Sequence, residues 1–190
     1  LFRSIPAPYA LLQNSHMLEP GTWIQFTGTG HIQQGQYFNF PRCETPSLKG
    51  EEAFEAVDTV IAEAVKRQLI SDVPVGAFLS GGIDSPLVVA NMKSAGTNTI
   101  RTFTIGTGEE ATDESSDAMR YARELGVEHV IERVKPDTAL NLVDKVIDAC
   151  GEPFGDYSIF PTMMVSHLAS QDFKVMLSGD GGDELFWGYP

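Results

Sequence analysis

From residue 50 onward, apolar residues alternate between two spacings, and that alternation leaves few folds open. Phe54, Val57, Ile61, Val65 and Leu69 recur at steps of three and four, the spacing of one helical face. Glu51 and Glu52 fall in the first turn of that segment and Lys66 and Arg67 in the last, where a helix macrodipole favours them. Val75–Leu79 is a short apolar run of strand type, and residues 85–93 return to a helical pattern. Thr99–Ile105 predicts a second strand, ended by Gly106. A helix then runs from a cap at Asp113 to Leu125, with Gly126 as its stop. Val127–Glu132 predicts a third strand. Asp137 is placed to cap a helix with Leu140, Val143 and Ile147 on one face, Ser158–Ala169 predicts another helix, and Lys174–Leu177 a fourth strand. Strands that alternate with helices of this length predict an α/β fold, a parallel sheet flanked by helices.

Residues 1–48 read differently. They hold Pro6, Pro8, Pro20, Pro41 and Pro46 and show no helical periodicity. Thr22–Phe26 alternates and is β-rich after the turn signal Glu19-Pro20-Gly21, and Gln36–Phe40 predicts a second strand. The expected division is a β-containing segment and linker over 1–48, then an α/β domain over 49–190.

Charge and cysteine usage narrow the function. With 13 Lys+Arg against 26 Asp+Glu, the formal charge is −13, which argues against broad nucleic-acid binding. A single nucleotide is not excluded, because one loop and one cation can hold a triphosphate. Cys43 and Cys150 are far apart and in no CxxC pattern, so neither a disulfide framework nor a zinc site is predicted, and a cytoplasmic location fits. No apolar run approaches the roughly 20 residues of a membrane span. The first residues, LFRSIPAPYALL, make a poor signal peptide. With no initiating Met and a last stretch that stops just after a glycine-rich motif, the expectation is an internal piece of a longer protein.

Two glycine-rich stretches carry the chemistry. In VGAFLSGGIDSPLVV, a strand ends at Ser80-Gly81-Gly82 and a helix begins near Asp84-Ser85. Ligands of open α/β sheets bind beyond the carboxyl ends of the strands. Glycines let backbone N–H groups approach an anion, the helix N-terminus adds partial positive charge, and Ser80 and Ser85 add hydroxyls. This is a phosphate cradle, but the lysine of GxxxxGK[ST] is missing and GxGxxG is not present. Asp84 would repel phosphates unless a cation intervenes, which points to Mg²⁺ between Asp84 and the phosphates. VMLSGDGGDELFWGY, from Val175 to Tyr189, repeats the logic: a strand, Ser-Gly, a glycine pair, and the carboxylates Asp180, Asp183 and Glu184. His16, His31, His129 and His167 have no metal-like spacing, and Met163, Met164 and Trp187 read as core or wall.

With those residues in view, SGGIDS resembles the pyrophosphate loop SGGxDS of the ATP pyrophosphatases, and LSGDGGDELFWGY resembles a motif of the asparagine synthetase family among them. TFTIGTGEEATDESSDAMRYARELGVEH and EPFGDYSIFPTMMVSHLA are similar to further segments of that family, in the right order, and RSIPAP and MLEPGTWIQF resemble the tail of its glutaminase domain. The resemblance implies an adenine nucleotide alpha-hydrolase-like synthetase domain over 49–190, truncated at its C-terminus. Residues 1–48 would be the remnant of an N-terminal glutaminase (Ntn-type) domain of the same chain. It implies ATP-dependent amidation of aspartate through β-aspartyl-AMP, with ammonia drawn from glutamine and AMP and pyrophosphate released. No nucleic acid or membrane is implied as partner, and oligomeric state stays open, a homodimer among the options.

Residue by residue, the resemblance implies that Ser80, Gly81, Gly82, Asp84 and Ser85 hold the pyrophosphate end of ATP. Phe78, Leu79 and Ile105 would border adenosine, and Ser178 and Gly179 would contact the nucleotide. Asp84 and Asp183 would share Mg²⁺. Asp180 would act as general base toward ammonia, although the best-described members carry Glu there, one methylene longer. With Asp180, Asp84 and Ser85 are the residues expected nearest the chemistry. Glu184 reads equally as a partner that supports a metal-binding carboxylate from behind or as a helix-start acid, Asp156 and Ser158 are candidates to face the amino-acid substrate, and Asp113-Glu114 resembles a family acidic pair near the nucleotide. Neither cysteine is placed to serve a glutaminase, so the 190 residues alone are expected to be inactive or nearly so. Two alternatives stay open: a related amidotransferase or β-lactam-forming ligase acting on another carboxylate, and a nucleotide-binding module without turnover.

Overall fold

The structure is a computed structural model that describes residues 4–28, 30–41, 47–97, 99–108, 113–134, 140–156, 158–186 and 188. It divides into two compact units, Leu1–Ser47 with Asp144–Tyr157, and Leu48–Val143 with Ser158–Pro190. Cys43, Asp137, Trp187 and Tyr189 lie outside the described residues.

The first unit contains a hairpin of β1 (Thr22–Phe26) and β2 (Ile32–Gln36), antiparallel from Thr22 opposite Gln36 to Phe26 opposite Ile32. The expected second strand at Gln36–Phe40 is therefore displaced toward the N-terminus. The ladder ends because the amides of Tyr37 and Phe38 both turn onto the Gly21 carbonyl, at 2.9 and 3.2 Å. Gly21 sits at φ 73°, and a Cβ there would strike the Phe38 carbonyl, so glycine is needed at this turn. The helix over Val143–Cys150 also corrects the expected pattern. Val146 is its buried residue, whereas Leu140, Val143 and Ile147 are exposed.

The second unit is the α/β layer. Helix α1 (Glu51–Gln68) precedes β3 (Val75–Phe78), α2 (Asp84–Ser94), β4 (Arg101–Gly106), α3 (Ser115–Leu125) and β5 (Glu128–Arg133). With the Val143–Cys150 helix numbered α4, there follow α5 (Ile159–Ser170), β6 (Val175–Leu177) and α6 (Gly182–Phe186). The four strands β3 to β6 form one sheet in the order β5-β4-β3-β6, with every pair parallel. The predicted α/β class holds, and each predicted strand of this sheet lies within two residues of the observed one.

Local sequence explains the packing. The β3 run VGAF is buried along its middle, as expected of a parallel strand covered on both faces. Ala77, Leu79, Val89, Met92, Ile100, Ala118 and Ala122 close a core with Val65 of α1. Alanines at 118 and 122 let α3 approach, and Gly126 at φ 63° ends it in the left-handed conformation. Pro86 is tolerated in the first turn of α2, where an amide has no intrahelical acceptor. Phe103, of opposite strand parity to Thr102, meets Phe173 edge-on with centroids 5.7 Å apart. Only the C-terminal half of the predicted α1 stripe is inside: Ile61, Val65 and Leu69 pack on the core, while Phe54 and Val57 stay exposed. Among the described residues no helix is long and apolar enough to cross a membrane.

Candidate active site at the carboxyl ends of the strands

The chain starts the sheet at β3, moves outward through β4 to β5, and then returns to lay β6 on the other side of β3. The direction of winding thus reverses between β3 and β6. Such a reversal opens a crevice at the carboxyl ends of the two strands, the usual ligand position in open α/β sheets. Ser80-Gly81-Gly82 follows β3, and Ser178-Gly179 follows β6. The sequence motifs therefore lie on neighbouring strands at the switch point, although about a hundred residues separate them in the chain.

The first loop is organised by Ser85, which is buried in the second position of α2. Its Oγ accepts the Ser80 amide at 2.8 Å and lies 2.9 Å from the Ser80 Oγ. The Ser80 hydroxyl in turn accepts the Gly82 amide at 3.3 Å. Just upstream, the Leu79 amide donates to Phe103 at 3.0 Å, and its carbonyl accepts the Thr104 hydroxyl. The loop is thus held at its root by β4. Phe78 ends β3, and Ile105 is partly buried at the same end of β4.

The second loop rests directly on the start of α2. A Cβ on Gly179 would lie 2.7 Å from the Ser85 nitrogen and 2.9 Å from the Asp84 Cβ. A Cβ on Gly182 would lie 2.6 Å from Asp84 Oδ2 and 2.7 Å from Oδ1. The Asp84 carboxylate is therefore packed against Gly182, the residue before Asp183. The Ser178 hydroxyl donates to Asp180 Oδ2 at 2.8 Å, which ties the exposed Asp180 to the root of its own loop. Glu184 is exposed in α6, Ser158 precedes α5, and Asp156 falls in the first unit.

Two further carboxylates come to this edge from α3. The Gly81 amide donates to Glu114 Oε2 at 3.0 Å, and a Cβ on Gly81 would lie 2.9 Å from the Glu114 Cβ and 3.1 Å from the Asp117 Cβ. Asp113 does not cap α3 from the N-cap position, which Glu114 holds. Its carboxylate instead bridges the amides of Gly108 and Ser115, each at 2.9 Å. The hydrogen bonds from Ser115 hold Asp113 below the usual carboxylate range. Sequence reasoning noticed Asp113-Glu114 but not the Gly81 contact, for which the only local signal was the glycine itself. Among the described residues, no group of three or more His, Cys, Asp and Glu side chains is arranged to hold a metal ion.

A four-stranded parallel sheet, wound outward from β3 and reversed at β6, with a serine-glycine loop at each side of the reversal, defines the class: an open α/β domain with its ligand crevice at the reversal. Solved structures agree on the fold. A glutamine-dependent NAD+ synthetase from Acinetobacter baumannii covers 88% of this chain and 31% of its own at TM-score 0.50 and 20% identity. A U34-tRNA thiolase from Methanococcus maripaludis covers 75% and 54% at TM-score 0.50 and 17% identity. The family profile described as asparagine synthase matches residues 56–190, and the chain belongs to that family. A Methanocaldococcus jannaschii protein, named provisionally as glutamine-hydrolyzing asparagine synthetase 2, is 37% identical over 97% of this chain and 36% of its own length. Glutamine-hydrolyzing asparagine synthetase 1 of Bacillus subtilis is 32% identical over 99% and 29%. An amidase, chyE, of Penicillium rubens is 31% identical over 92% and 29%. The chain thus spans about a third of the length of the curated relatives it matches.

Proposed function

We propose that the chain is the nucleotide-activating part of a glutamine-hydrolysing asparagine synthetase. ATP adenylates the side-chain carboxylate of aspartate, pyrophosphate leaves, and ammonia displaces AMP to give asparagine. The observation that carries this reading is the contact of the second loop with the first: Gly179 and Gly182 against Ser85 and Asp84 in a chain of the asparagine synthase family. A phosphate chain lying across that junction would meet donors from both loops, with Ser80, Gly81, Gly82 and Ser85 on one side and Ser178 and Gly179 on the other.

The acidic rim requires a cation with the nucleotide. Mg²⁺ is held by one or two carboxylates plus substrate phosphates rather than by an all-protein cage. Asp84 and Asp183 would hold the ion, which would neutralise charge developing on the departing pyrophosphate. Asp180 is the candidate base toward ammonia. Its hydrogen bond from Ser178 keeps it beside the loop that would face the acyl carbon. Ammonia would come from a glutaminase domain of the same protein, in a cytoplasmic setting.

ATP–pyrophosphate exchange tests the reading. In the full-length protein, labelled pyrophosphate should enter ATP in the presence of aspartate and magnesium. Exchange supported by a different carboxylate, with none for aspartate, would shift the assignment to the acyl-acceptor alternatives. ATP binding with no exchange for any acid would mean a binding module.

A further inference from the structure

In a strand-end phosphate loop the donors are backbone amides, and here the Gly81 amide is donated to a carboxylate. Glu114 Oε2 accepts it at 3.0 Å. Carboxylate and phosphate oxygens are both anionic acceptors of N–H groups, and a well-aligned bond from one N–H goes to one of them at a time. A phosphate oxygen arriving at Gly81 therefore competes with Glu114.

The contact is built rather than incidental. Gly81 lacks the Cβ that would sit 2.9 Å from the Glu114 Cβ, so α3 can begin hard against the loop. Asp113 closes the turn before Glu114 by bridging the Gly108 and Ser115 amides, and the Glu114 carbonyl starts α3 by accepting the Ala118 amide at 3.0 Å. Among the described residues no Lys, Arg or His pairs with the Glu114 carboxylate, whereas Asp117, one turn along, pairs with Arg120 at 3.0 Å. Glu114 thus brings a negative charge that no described cation pairs to the amide expected to receive a phosphate.

We infer that Glu114 is a resident competitor for the Gly81 amide, displaced when the pyrophosphate moiety binds and returning when it leaves. The inference rests on the reading of Ser80–Ser85 as the pyrophosphate loop. By retaking its donor, Glu114 lowers affinity for product pyrophosphate and speeds its release, at the cost of weaker ATP binding.

Calorimetric titration of the intact protein with inorganic pyrophosphate and magnesium tests this, with the Gly81 amide resonance as a second readout. Hydrogen bonds to charged groups are among the stronger ones, and this one is partly solvated, so Glu114→Gln and Glu114→Ala should tighten pyrophosphate binding roughly tenfold. Asp117→Asn removes a nearby charge without touching the loop amide and should change affinity less than about twofold, because Arg120 already offsets it. In Glu114→Ala the Gly81 amide proton should move upfield before any ligand is added. Equal tightening by Asp117→Asn would mean that bulk charge acts, not the contact, and would overturn the inference. Weaker binding in Glu114→Gln would make Glu114 a ligand to the bound cation and also overturn it. If the wild-type protein binds neither pyrophosphate nor ATP, the loop reading itself fails and takes the competitor with it. If the wild type binds and both Glu114 variants bind equally well, only the competitor fails.

Discussion

Gly179→Ala probes the junction on which the proposed chemistry depends. The added Cβ would sit 2.7 Å from the Ser85 nitrogen, 2.9 Å from the Asp84 Cβ and 3.0 Å from the Asp84 carbonyl carbon. Non-bonded heavy atoms rest at about 3.5–4.0 Å, so the overlap with Ser85 is roughly 0.8 Å. Two of the three atoms struck are backbone at the start of α2, and they cannot swing away as a side-chain tip could. The second loop must therefore retreat from the helix. Overpacking of this kind costs about 1–3 kcal/mol. For a chain of this size, a loss near 2 kcal/mol lowers Tm by about 4–8 °C. Loop retreat also separates the two sets of phosphate donors, so nucleotide affinity should fall by more than stability alone requires, with Kd for Mg-ATP rising at least about tenfold, or 1.4 kcal/mol. Gly82→Ala is the internal control for stability alone, because among the described residues its Cβ would meet only the Ser80 Oγ, at 3.5 Å, an ordinary contact. Thermal melts of both variants and calorimetric ATP titrations of Gly179→Ala decide the matter. If Gly179→Ala melts and binds like the wild type, or if Gly82→Ala lowers Tm by more, the loops do not meet as described.

Asp84→Asn keeps the shape packed against Gly182 but removes the charge; in the full-length protein Mg-ATP turnover should fall by roughly 10²-fold with Tm nearly unchanged, as measured by AMP release and melting. Met92 is fully buried, so Met92→Ala should cost about 2–5 kcal/mol in urea unfolding. His129 should make stability pH-dependent. The Thr102 hydroxyl donates to the Glu128 carbonyl at 2.9 Å and so accepts from His129 Nδ1 at 2.8 Å, while His129 Nε2 is buried without a partner among the described residues. Burial pushes His129 below its usual value, and the unfolded chain then binds the extra proton more readily. The stability attributable to His129 should be flat above about pH 6.5 and decline as pH falls from there toward the folded-state value. Urea midpoints of wild type and His129→Leu across pH 5–8 check this, and parallel profiles would refute it.

Much of this architecture was legible in the sequence because short-range physics writes it there. The period of apolar residues located every strand of the parallel sheet, and Gly126 marked the end of α3 through its left-handed conformation. The errors came where a partner outside the element itself decides. Gln36–Phe40 has strand composition, but the Gly21 carbonyl captures its amides. Phe54 and Val57 continue the α1 stripe beyond the core that receives it. Asp113 has the chemistry of a cap, yet it closes the turn to Gly108. At the site, the glycines announced close approach but not by what: strand order brought Asp84 to Gly182, and the start of α3 brought Glu114 to Gly81. No local pattern encodes strand order.

The three-residue strand β6 pairs only with β3 among the described residues, and the whole second loop hangs from it. So short an edge has few ladder bonds to lose, and it is where a parallel sheet frays first, well below the free energy of global unfolding. A bound molecule that grips both loops would work as a clasp, drawing the margin of the sheet into the cooperative unit by mass action. Slowed deuterium uptake at Val175–Leu177 on saturation with nucleotide would be the signature of that clasp.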